Sequence, residues 1–130
     1  MVKKRFPLKG SYSLKEFYNC STEFVVYCLT CPCGLFYVGR TIRALRARFG
    51  EHRRFIEKGR DHHSVPKHFL THHDQSTAGL KVWVVESIPA IYTAAERYKR
   101  LCQQETYWIY SLGTLAPGGL NEEIEVHTLL

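Results

Sequence analysis

The sequence predicts an α/β domain with a small, mostly antiparallel sheet of three strands flanked by helices, in the order β-β-α-α-β-α. Three observations carry this. Residues 24–29 form a continuous apolar run, followed by a Cys-Pro-Cys-Gly turn signal and a second short apolar run. Residues 43–58 repeat apolar positions at helical spacing. Residues 94–112 do the same over a longer stretch that ends at a glycine.

Phe24-Val25-Val26-Tyr27-Cys28-Leu29 is rich in β-branched residues and predicts a buried strand. Cys31-Pro32-Cys33-Gly34 predicts a turn, and Leu35-Phe36-Tyr37-Val38 a second strand that stops at Gly39. A turn centred on Pro32 would set Tyr27 and Tyr37 opposite one another on one sheet face, with Gly39 leaving room beside them. The helix over 43–58 would bury Ile42, Leu45, Phe49, His52 and Ile56, and Gly59 would stop it. Ser64 is placed to cap a second short helix with Pro66 in its first turn. Residues 80–88 alternate as a third strand. The last helix presents Tyr98, Leu101, Cys102, Glu105, Trp108, Ile109 and Leu112 as one stripe, with Gly113 as C-cap. Pro117-Gly118-Gly119 is a turn leading to Leu120 and Asn121.

The chain has 130 residues, enough for one domain with a real core. Residues 1–21 read as a lead-in, 22–122 as the domain and 123–130 as a tail. Met1-Val-Lys-Lys-Arg is basic but has no apolar region behind it, unlike a secretory signal. No apolar run approaches a bilayer span, so no membrane partner is expected. Lys and Arg number 18 against 12 Asp and Glu, a formal charge of +6 that favours a polyanionic partner such as DNA. The 5 cysteines, three of them crowded between Cys28 and Cys33, do not resemble a secreted disulfide framework. An intracellular setting is expected, and a nuclear one for a domain acting on DNA.

Three groups of residues carry candidate chemistry. Glu105 lies in the middle of an apolar helix stripe, where a carboxylate needs a cation: Arg or Lys in a salt bridge, or a metal. On the first helix Arg48 and His52 are one turn apart and face inward, and an inward Arg requires an anion. His52 is a core histidine or a catalyst. Arg43 and Arg54 point outward, as a solvated basic face or as phosphate contacts. Two tyrosines, an Arg–His pair and a carboxylate converging on one interior would suit phosphodiester cleavage. The third group is Cys28, Cys31 and Cys33 with His62, His63, His68, His72 and His73. It has the donors for a four-coordinate structural zinc, though the cysteines can equally be packing residues.

The chain resembles the GIY-YIG nucleases. Val25-Val26-Tyr27 stands where that family has Gly-Ile-Tyr, and Tyr37-Val38-Gly39 where it has Tyr-Ile-Gly. Arg48 through His52 is similar to its Arg-x-x-x-His stretch. Glu105-Thr-Tyr-Trp108-Ile resembles its metal-binding Glu segment, and Gly119-Leu-Asn121 its terminal Asn segment. The resemblance spans about residues 22–122 with the motifs in order. It departs at Val25, where the family has glycine, and keeps Tyr27.

It implies a GIY-YIG-like fold and metal-dependent DNA endonuclease activity, the hydrolytic nicking of one strand with Mg²⁺ or Mn²⁺. Glu105 would hold the metal and Tyr27 would act as general base or orient water. Tyr37 and His52 would assist, Arg48 would stabilise charge and Asn121 would support the site. A narrower resemblance is to the endonuclease domains of Penelope-like retroelements, which carry a Cys pair between the motif tyrosines and a His pair after the first helix. Cys31 and Cys33 match the first pair and His68 with His73 the second, with Cys28 and His72 as alternatives for a structural Zn²⁺. Such domains sit downstream of a reverse transcriptase. The rival reading is a non-catalytic, zinc-stabilised nucleic-acid-binding module in which Glu105 pairs with Arg48.

Overall fold

The computed structural model describes residues 21–59 and 64–122. The expected lead-in before residue 21, the tail after residue 122, and His62 and His63 lie outside the described residues. The elements follow the expected order: β1 (Val25–Thr30), β2 (Phe36–Thr41), α1 (Leu45–Glu57), α2 (Ser64–His72), β3 (Lys81–Ser87) and α3 (Ala94–Leu112). The sheet order is β2-β1-β3, with β1 antiparallel to both neighbours. All residues of β1 are buried, as expected of a central strand covered on both faces.

Strand alternation divides the core into two halves. Val25, Tyr27 and Leu29 of β1 join Val84 of β3 under Leu45 and Ile56 of α1 and Val65 and Phe69 of α2. Val26 of β1 and Val38 of β2 pack on the opposite face against Leu101 and Ile109 of α3. α3 has the bounds that its periodicity predicts. Thr93 caps it, its hydroxyl accepting from the Glu96 amide at 3.2 Å. Gly113, at φ +62°, supplies the left-handed C-cap.

Four local expectations need correction. The hairpin is not centred on Pro32: Tyr27 pairs with Gly39, and Tyr37 with Leu29. Gly34, at φ +92°, supplies the left-handed position of the turn and moves its centre to Cys33. The tyrosines therefore share a face as diagonal neighbours, not as a direct pair. β2 does not stop at Gly39 but runs on to Thr41, because the glycine makes space for Tyr27 and does not break the strand. A Cβ at Gly39 would fall 2.5 Å from the Tyr27 hydroxyl oxygen and 2.9 Å from Tyr37 Cε2. Ile42, expected in the inner face of the first helix, precedes α1 and is 48% exposed. Ser64, expected as a cap, is itself helical in α2 (Ser64–His72).

The α3 stripe is also rotated. Leu101, Cys102, Thr106 and Ile109 are its buried residues, while Tyr98 is 45% exposed. Thr106 tolerates burial because its hydroxyl donates to the Cys102 carbonyl at 3.2 Å. Rotation toward Thr106 moves Glu105 from the centre of the buried face to its margin.

Candidate active site

Tyr27, Tyr37, Arg48 and His52 meet on the α1 side of the sheet. The Tyr27 hydroxyl lies 2.8 Å from His52 Nε2, and Arg48 Nε donates to the same hydroxyl at 3.1 Å. A phenol has one proton to give. The hydroxyl accepts from Arg48, and the His52 tautomer sets whether it gives its proton to Nε2 or accepts one from it. The Tyr27 and Tyr37 rings both meet the His52 ring edge-on, with centroids 5.8 and 5.7 Å away. Burial raises the pKa of both phenols above the ordinary value. For Tyr27 the next cause is the Tyr37 phenol, and for Tyr37 it is the negative charge of Glu105.

Glu51 was not foreseen. It accepts from Arg48 Nη1 at 3.1 Å and from Arg43 Nη2 at 2.5 Å. This holds Arg48 in place one turn before His52, and the Arg48–Glu51 spacing of three residues is a signal present in the sequence. Burial works against the charged form of Arg48, but contacts with Tyr27 and Glu51 prevail and raise its pKa. A cavity of about 120 Å³ opens against this group, lined by Tyr37, Arg48 and His52 with Phe55, Val65 and Pro66. That is well above the roughly 10–15 Å³ that one water needs. Tyr27 lies beneath it, wholly buried.

Glu105 lies at the margin of this group, and its charge acts on the Tyr27 and Tyr37 phenols. It projects from α3, on the other face of the sheet, where Arg40 Nη1 pairs with Glu105 Oε1. Both side chains are largely buried, 20% exposed for Arg40 and 13% for Glu105. Arg40 Nη2 also reaches the Tyr98 hydroxyl at 3.4 Å. The salt-bridge partner of Glu105 is thus Arg40, while Arg48 pairs with Glu51. Alternation along β2 puts Arg40 on the α3 side, one residue past Gly39. The same alternation, read together with an inward carboxylate in need of a cation, identifies Arg40 from sequence. The two faces communicate at the β2 edge: the charge of Glu105 acts on both the Tyr27 and Tyr37 phenols.

A second interior carboxylate, Glu86 on β3, was also not foreseen. It accepts from Gln104 Nε2 at 2.7 Å and from Trp108 Nε1 at 2.8 Å, which ties β3 to α3.

Asn121 acts on backbone. Its Oδ1 accepts from the Val38 amide at 2.8 Å and from the Thr114 hydroxyl at 2.7 Å, and its Nδ2 donates to the Val38 carbonyl at 2.9 Å. It is buried and clamps β2 between Tyr37 and Gly39. Gly119 allows this turn to close, since a Cβ there would collide with the Thr114 backbone.

Cys31, Cys33, His68 and His73 form a separate cluster in which one donor atom from each lies within 4.8 Å of every other, a set that can hold a metal ion. His68 Nε2 is 3.5 Å from Cys31 Sγ and 3.2 Å from Cys33 Sγ. A tetrahedral ion with bonds of about 2.3 Å to sulfur and about 2.0 Å to nitrogen sets such donors about 3.5 Å apart. His73 Nε2 is buried with no hydrogen-bond partner, an orphaned donor atom that a metal would satisfy. The two sulfurs are paired with each other as a disulfide, the oxidised form of donors that bind metal as thiolates. The cluster does not include the alternatives Cys28 and His72. Cys28 is fully buried on the α3 side, with burial pushing its thiol up to about 12, and His72 is exposed.

No helix among the described residues is long and apolar enough to cross a membrane. Comparison of the chain with protein-family models, with characterised proteins and with solved structures finds no match, so the arrangement of side chains carries the functional argument.

Proposed function

We infer that the chain is a metal-dependent DNA endonuclease of the GIY-YIG type, nicking one strand by phosphodiester hydrolysis and related to the endonuclease part of Penelope-like retroelements. The observation that supports it best is the hydrogen-bonded Arg48–Tyr27–His52 group, of which Arg48 and His52 line a cavity, with Glu105 in electrostatic reach.

A divalent cation on Glu105 would polarise a phosphate oxygen. The protein's own residues do the rest. Arg48, held by Glu51 and Tyr27, offsets negative charge on the phosphate. Of the two roles open to Tyr27, burial and a raised pKa favour orienting over deprotonating. It fixes His52, and His52 and Tyr37 face the cavity where water would enter. Asn121 supports the site by holding Val38 between Tyr37 and Gly39. In this reading Cys31, Cys33, His68 and His73 hold a structural Zn²⁺ that pins the hairpin tip to α2, which lines the cavity through Val65 and Pro66.

The test is nicking of supercoiled plasmid with Mg²⁺ or Mn²⁺ beside Glu105→Ala. Nicking by wild type, lost in a folded Glu105→Ala, supports the proposal. Absence of nicking by wild type with either metal refutes it. One observation favours the non-catalytic rival: Arg40 already satisfies the Glu105 carboxylate without a metal. A salt-dependent gel shift with no cleavage would select that reading.

A further inference from the structure

Glu105 has a resident cation in Arg40, and this bears on how the site is loaded. The guanidinium holds Oε1 of the carboxylate, contacts the Tyr98 hydroxyl at 3.4 Å and lies 5.8 Å from the centre of the Tyr98 ring. A guanidinium stays cationic in a protein, and Arg40 is bound to the oxygen that a metal would take. A divalent ion and a guanidinium on one carboxylate repel each other, strongly where water is partly excluded. The backbone of Arg40 is fixed in β2 beside Gly39, the residue under which the Tyr27 hydroxyl lies. A DNA phosphate placed over the Tyr37–Arg48–His52 cavity would offer a displaced Arg40 an anion, and Arg40 already acts electrostatically on Tyr37 there.

We propose that Arg40 is an exchangeable counter-ion that pairs with Glu105 in the empty site and transfers to the DNA phosphate when metal occupies Glu105. It is a positioning residue for the site, and the inference rests on the nuclease reading above. Two consequences follow. Metal alone binds weakly, since it must displace Arg40. Metal and DNA bind with positive coupling, and the factor by which DNA tightens metal equals the factor by which metal tightens DNA.

The experiment measures Mn²⁺ affinity by electron paramagnetic resonance for wild type, Arg40→Gln and Glu105→Gln. Anisotropy of a labelled, pre-nicked duplex is measured with and without Mg²⁺. Arg40→Gln is expected to bind Mn²⁺ on the order of tenfold tighter than wild type without DNA, and to lose a similar factor of the Mg²⁺-dependent gain in duplex affinity. Arg40→Lys should restore part of that gain.

Unchanged or weaker Mn²⁺ binding in a folded Arg40→Gln overturns the exchange while leaving the nuclease reading intact. Unchanged Mn²⁺ binding in Glu105→Gln removes Glu105 as the metal ligand and overturns both. Nitrogen-15 spectra of wild type give a check independent of any folding defect in the variants. Saturating Mg²⁺ should shift the Arg40 Nε–Hε resonance, and an unmoved resonance overturns the exchange.

Discussion

Replacing Gly39 by alanine would test the site geometry at its tightest point. The new Cβ would lie 2.5 Å from the Tyr27 hydroxyl oxygen, 2.6 Å from Tyr27 Cζ and 2.9 Å from Tyr37 Cε2, where ordinary contact begins at 3.4 Å. Tyr27 must therefore retreat by roughly 1 Å, the scale of misplacement that costs about 10²-fold in rate. It has little room to do so, being wholly buried between His52, Arg48 and the sheet. Overpacking of this kind costs about 1–3 kcal/mol, to which the strained Tyr27–His52 hydrogen bond adds about 1 kcal/mol. Urea unfolding should show a midpoint lower by on the order of 1 M with an unchanged slope. Plasmid nicking, measured where the variant is still folded, should fall about 10²-fold. A Gly39→Ala protein that unfolds at the wild-type midpoint and nicks at the wild-type rate would show that the packing of Tyr27 under Gly39 does not control the site.

Further expectations concern the other parts. Asn121→Ala strands the Val38 amide and carbonyl and the Thr114 hydroxyl in buried positions, so urea titration should show a loss of about 2–5 kcal/mol. A loss below about 1 kcal/mol would mean that Asn121 does not clamp β2. Zinc-loaded protein treated with a strong chelator should lose one bound ion per chain and melt at lower temperature. His73→Ala should fail to take up the ion and His72→Ala should retain it, measured by elemental analysis and by the cobalt spectrum. Burial raises the Tyr27 and Tyr37 phenols above their ordinary value of 10.0, so the folded state holds these protons more tightly than the unfolded chain does. Their contribution is intact below about pH 10 and is lost as pH rises from there toward the folded values. The urea midpoint should fall above about pH 10, and less steeply in Tyr27→Phe.

The element order and both ends of α3 were legible because each rests on local signals: a β-branched run, a threonine N-cap, a glycine in the left-handed region. The hairpin register was not, since it depended on which turn residue took positive φ, and Gly34 won over Pro32. Tyr27, Tyr37, Arg48 and His52 come together as their spacing suggests. Glu105 comes to the margin of that group and not to its centre, with its charge acting on both tyrosines. Helical periodicity fixes which side of α3 a residue occupies to within about one position, and a small rotation moved Thr106 in and Glu105 to the margin. Strand alternation places charged residues as well as tyrosines, so Arg40 and Glu86 carry a sequence signal of their own. The role of Asn121 as a clamp on backbone leaves no trace in a pattern of side-chain types.

The segment that carries Asn121 also bears on how the protein behaves in crowded solution. β2 is an edge strand, and an open edge invites pairing with another chain. Here the Leu120 amide donates to the Phe36 carbonyl at 2.7 Å, and Asn121 occupies both the amide and the carbonyl of Val38. A foreign strand cannot add at those positions without first stripping residues 120–121 away. Substitutions that loosen this segment would therefore convert a covered edge into a template for strand addition, and their first symptom would be concentration-dependent aggregation.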